Sequence, residues 1–267
     1  MKVEGVDMNV GTYTLAEDFV SDKKLLDLLS DIEVALGYKI EAIQIMEQHK
    51  SQAVMGCIFG EDKKWRLAID KKEPANQDAL CHEFMHFVLW LEGWPVFYVN
   101  NLVRDEFLCA ALDRLKNLIL HIDLWGLVRS YGFNDECAYN FDQLIEGVMR
   151  YTPNPKSDSR LVLAMNSIDL AQGLLQPGPE DKKIALRNAA FQKDRLALGN
   201  ADVIISLFQN LLPLNPARCV FAAQKALGIV GLPDDLLLPE YTDRIFPNFR
   251  EQIFAGIDRN MQVMQDR

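Results

Sequence analysis

The chain has 267 residues, 49% of them hydrophobic and 25% charged, the balance of a soluble globular protein able to bury a sizeable core. A formal charge of −10 at pH 7 works against a nucleic-acid partner, since phosphates would be repelled and no Lys/Arg-rich stripe offsets this. No apolar run reaches the ~20 residues that span a bilayer, the first residues show no h-region or lipidation signal, and the five cysteines form no CxxC pair, so a cytoplasmic protein with reduced thiols and no membrane partner is expected.

In chain order, residues 14–36 are predicted as an amphipathic helix, with Leu25, Leu28, Leu29, Ile32 and Leu36 at three- and four-residue spacing and Gly37 ending the run. Three strand-like stretches follow: Tyr38 to Met46, Ala53 to Phe59, and Lys64 to Asp70, the last alternating with Trp65, Leu67 and Ile69 on one face. Gly60-Glu61-Asp62-Lys63 has the composition of a hairpin turn. Pro74 and Asn76 open another helix, which Gly93 and Pro95 stop. A second long helix is predicted from about Leu102 to Arg129. After the Pro-rich break at 151–156, helices are predicted over 159–175, 180–198, 200–212, 216–229 and 240–263. The expected class is therefore α+β: a helix and a short three-stranded sheet packed on a central helix (residues 1–150), then an all-helical C-terminal half (156–267).

The chemistry is concentrated in that central helix, where His82-Glu83-Phe84-Met85-His86 forms an HExxH motif. Residues four apart on a helix differ by about 40° in azimuth and sit about 6 Å apart along the axis. Both imidazoles therefore reach one zinc ion from one face, with Glu83 beside them to take a proton from a metal-bound water. A catalytic zinc commonly takes three protein ligands, and two glutamates compete for the third place. Glu92 is six residues past His86, but Leu89 stands where a chain-turning glycine is needed, and an unbroken helix points Glu92 about 80–120° away. Glu106, twenty residues past His86 on the next helix, has the placement of a third ligand delivered by a second helix; Asp105 and Asp113 are further alternatives.

His121 shares a face with Glu106, Asp113 and Asn117, yet fifteen residues of straight helix is about 22 Å, too far from a metal held by Glu106. His121 is accordingly expected to be a polar or capped histidine. His49 precedes the motif in the turn after the first strand and is a poor ligand candidate. Asp78 and Asp70 are the nearest carboxylates in sequence able to orient a metal-bound histidine, or else they serve as helix-start and turn residues. If Trp65–Asp70 lies at the sheet edge, its free backbone groups would pair with an extended peptide.

With HEFMH on one helix and Asp105-Glu106-Phe107-Leu108-Cys109-Ala110-Ala111-Leu112 on the next, the chain resembles the zincin metallopeptidases of gluzincin type. Within them it looks most like the ImmA/IrrE-type group of small intracellular bacterial proteins, over about residues 38–115. That resemblance implies a zinc ion on His82, His86 and Glu106, Glu83 as catalytic base, and a protein or peptide substrate. Met85 stands where the group carries a small residue, and Ala110 where gluzincins place an Asp. The expected function is zinc-dependent peptide-bond hydrolysis. The alternative is a regulatory protein that keeps the scaffold without cutting, with the helical C-terminal half as the docking surface for a protein partner.

Overall fold

The first helix starts at an aspartate, not at residue 14. In the computed structural model, which describes residues 14–45, 55–59, 64–70, 76–100, 102–134, 141–150, 159–241, 245, 246 and 248–255, Asp22 caps α1 (Lys23–Leu36) by accepting the backbone N–H groups of Lys24 and Leu25. The residues before it form a short strand, β1 (Thr14–Leu15), and a 3-10 turn (Ala16–Phe19). The capping carboxylate satisfies two of the helix's orphan donors, which decides the start against the continuing apolar pattern. The predicted stripe of Leu25, Leu28, Leu29, Ile32 and Leu36 is buried, and Gly37 ends the helix at φ 75°.

All three predicted strands are present: β2 (Glu41–Ile45), β3 (Met55–Phe59) and β4 (Trp65–Asp70). The sheet order is β1-β2-β4-β3, with β4 parallel to β2 and antiparallel to β3. Trp65–Asp70 is thus an inner strand with both edges occupied, which removes it as the expected edge for pairing with a peptide. The physical reason is pairing: the backbone groups of β4 are taken up by β2 on one side and β3 on the other, and the burial of Ala68 along with Trp65, Leu67 and Ile69 shows the strand covered on both faces as well. The predicted turn at 60–63 and His49 lie outside the described residues.

Two helices follow. Asn76 caps α2 (Gln77–Leu91), which carries the HExxH motif and packs against α1. Its stop is as predicted, with Gly93 at φ 87°. A strand not anticipated from sequence, β5 (Val96–Val99), precedes α3 (Glu106–Ser130), a continuous helix whose N-terminus Asp105 caps through the N–H of Leu108.

The remaining helices are α4 (Phe141–Arg150), α5 (Ser159–Leu175), α6 (Glu180–Lys193), α7 (Arg195–Leu211) and α8 (Pro216–Ile229). The predicted boundary near residue 199 falls instead at Asp194, whose side chain caps α7 and also accepts from Asn166 of α5. The C-terminal half is not all helical. β6 (Leu237–Glu240) pairs with β5 in an antiparallel ladder running from Val96↔Glu240 to Val99↔Leu237. It occupies the start of the helix predicted over 240–263, of which residues 249–255 are helical. The fold is mixed α+β, mostly helical with two small sheets.

The chain divides into two compact units interleaved along the sequence. One comprises the described residues within 1–93, 127–135 and 243–267; the other those within 94–126 and 136–242. In the first, α1 and α2 pack together and α2 lies against β3. In the second, α5 packs closely on α7, and Ala164, Ile168 and Ala171 of the one and Ala201 and Ile204 of the other are fully buried. Small side chains at such a crossing let the helix backbones approach. Among the described residues no helix is long and apolar enough to cross a membrane.

Candidate metal centre

Helix α2 is buried on nearly all sides. From Leu80 to Leu91 every residue is buried except Glu83, which is half-buried. The two motif histidines are each 9% exposed, and their ring centroids lie 5.1 Å apart at an interplanar angle of 72°. Helical periodicity, capped by Asn76 at one end and closed by Gly93 at the other, is what brings the two rings to one face. Glu83 projects from the adjacent azimuth and is the most solvent-accessible group of this stretch.

An aromatic stack fixes the far side of His86. Trp90, one turn on, stacks over it with centroids 5.6 Å apart and planes 19° from parallel. Trp65 of β4 stacks in turn on Trp90 at 3.7 Å and 11°. Phe87 meets both tryptophans edge-on.

The competing carboxylates are accounted for. Glu92 follows α2 as its C-cap, and its carboxylate accepts the backbone N–H of Arg250 at 2.9 Å and pairs with the Arg250 guanidinium. It is a structural anion. Asp105 caps α3, and the exposed Asp113 pairs with Lys116 at 2.8 Å. Asp78 accepts the N–H of Asn134 at 3.0 Å, so it holds the segment after α3. The side chain of Asp70 lies outside the described residues. Glu106 is exposed in the first turn of α3.

His82 and His86 are the two ring-nitrogen donors that α2 brings to one face, which makes them the start of a metal site. His121 is half-buried on α3, with its ring 6.1 Å from that of Trp125. Because α3 is unbroken, Glu106 and His121 are about 22 Å apart and cannot share a metal.

The donors fit zinc, which His82 and His86 would hold from one face of α2. Oxygen-loving cations such as Mg²⁺ or Ca²⁺ are poorly served by ring nitrogens. No protein-family model, curated protein or solved structure matches the chain, so these side chains carry the functional reading by themselves.

Proposed function

We propose that the chain is a zinc-dependent hydrolase of peptide bonds, with His82 and His86 among the ligands of the metal and Glu83 as general base. The observation that carries this is the pair of motif histidines on one face of α2, their ring centroids 5.1 Å apart, with Glu83 beside them. A zinc ion held there would supply a Lewis acid to polarise the scissile carbonyl and lower the pKa of a bound water. Glu83 is next to His82 and is the accessible residue of the buried run from Leu80 to Leu91, and in this reading it accepts the proton of the attacking water and passes it to the leaving nitrogen. The aromatic and aliphatic residues around the histidines exclude competing water. The substrate class, a protein or peptide, and the cytoplasmic setting follow from the motif's resemblance and the composition.

A second reading is favoured by the burial of His82 and His86, each 9% exposed. In it the same metal serves structure without cutting anything, and the helical C-terminal half from residue 156 docks a regulatory protein partner. Elemental analysis and a cleavage assay separate the possibilities. Protein purified without chelator should carry one zinc per chain, lost in His82→Ala and His86→Ala and kept in Glu83→Gln. A proteome-wide comparison should then show peptides released by wild type and absent with Glu83→Gln. Identical profiles with metal retained would favour the second reading, and a chain without metal would overturn both.

A further inference from the structure

Trp90 is an expensive residue where it stands. It is 6% exposed, and its indole N–H finds no hydrogen-bond partner among the described residues, a cost that a Phe or Leu at this place would not incur. Its N–H therefore does not explain its presence. Its ring does, because it stacks both on Trp65 and, in an offset arrangement, on His86.

The torsion that turns an imidazole about its own axis is broad and roughly two-fold, so a histidine ring is poorly oriented by its own covalent preferences. A ring held 19° from parallel to an indole that is itself backed by a second indole has lost that freedom. Turning His86 by 90° would drive its edge into the face of Trp90. Phe87, 1% exposed and edge-on to both tryptophans, keeps the stack from sliding. Orientation of metal-ligating histidines is ordinarily the task of a hydrogen bond to the second ring nitrogen. Here an aromatic wall constrains the same degree of freedom.

We infer that Trp90, backed by Trp65, is a positioning residue that fixes the ring plane of His86 for metal binding, and that it is consequently the optical reporter of that site. The inference rests on the metal reading above. Trp90 touches no reacting atom; it acts through His86.

Cobalt(II) serves as the probe, because its visible absorption reports ligand geometry directly. Wild type and Trp90→Phe should bind Co²⁺ with closely similar affinity and the same band positions, since a ring still lies over His86. Trp90→Met, which keeps a long apolar side chain but not the ring, should bind about tenfold more weakly with shifted bands, the lower end of what loss of a ligand-orienting partner does. Equal affinity and identical bands in a folded Trp90→Met would overturn the inference. Should that variant fail to fold, a second measurement decides. In a Trp125→Phe background, Zn²⁺ should change tryptophan emission, and adding Trp90→Phe should abolish the change while Zn²⁺ still binds; a persisting change would overturn it. A wild type that binds neither cation would sink the metal reading itself, which is a different outcome from either.

Discussion

Arg250 closes on Glu92 across 158 residues of sequence, its guanidinium and its backbone N–H both directed at one carboxylate that is 9% exposed. The pair ties residues 249–255 to the end of the HExxH helix, beside a backbone bond from Phe246 to the carbonyl of Leu91. Removing one partner of a desolvated ion pair leaves the other uncompensated. Glu92→Ala should therefore lower stability by about 2–3 kcal/mol, since Arg250 is partly solvated, a drop of roughly 5–10 °C in Tm for a chain of this size. Zinc content should not change. A variant of normal stability that had lost its metal would return Glu92 to the list of ligands.

Glu106 and His121 lie about 22 Å apart on one unbroken helix, so at most one of them can be a third ligand beside His82 and His86. Accordingly no more than one of Glu106→Ala and His121→Ala should weaken zinc by an order of magnitude or more. Competition with a chromophoric chelator measures both. Loss of zinc in both variants would show that these residues do not act as direct ligands.

Asp169 on α5 is paired with Arg114 on α3 at 2.7 Å, and burial pushes its carboxyl up to about 6 even though the neighbouring guanidinium pulls it down. A carboxyl with a higher pKa in the folded than in the unfolded chain binds more protons when folded, so it costs stability as pH rises between the two values. The cost begins near pH 4 and is complete above about pH 6, on the order of 3 kcal/mol. Relative to Asp169→Asn, wild type should lose stability from pH 4 to pH 6 and run parallel to it above pH 7. Denaturant unfolding across that range checks the sign. A wild type that gains on the variant as pH rises would show that the pairing with Arg114 outweighs burial.

Gln77 opens α2 and clamps the turn before α1: its amide oxygen accepts the N–H groups of Ser21 and Asp22, and its amide nitrogen donates to the carbonyl of Phe19. Gln77→Ala should cost about 1–3 kcal/mol from these bonds. Gln77→Glu, which keeps the acceptor and loses the donor, should fall between. Neither should alter zinc content, because the clamp lies more than a turn before His82.

The parts of this fold that sequence showed are those governed by local periodicity and capping. The leucine stripe of α1, the three strands, the stop at Gly93 and the spans of α5 and α8 all follow from residues within a few positions of each other. What it hid depends on partners far away. β6 is too short to announce itself and exists because Val96–Val99 offers it a ladder. The inner place of β4 is a matter of sheet order, which alternation in one strand does not encode. The same holds at the site. The shared face of His82 and His86 follows from helical spacing, whereas the stacking of Trp90 on Trp65 depends on a strand that local periodicity within α2 does not reveal.

The interleaving of the two units sets a schedule for synthesis. Nearly everything that surrounds the HExxH helix in its own unit has been made once residue 135 is reached, but the segment holding Leu91 and Glu92 begins only at about residue 243. At 5–20 residues per second, the ribosome takes roughly 5–20 s to supply it. For that interval the end of α2 lacks its Arg250 counter-charge and its contact with Phe246. A nascent chain therefore passes through a stage in which the histidine pair is already on the helix while the lock at the helix's end has yet to be translated.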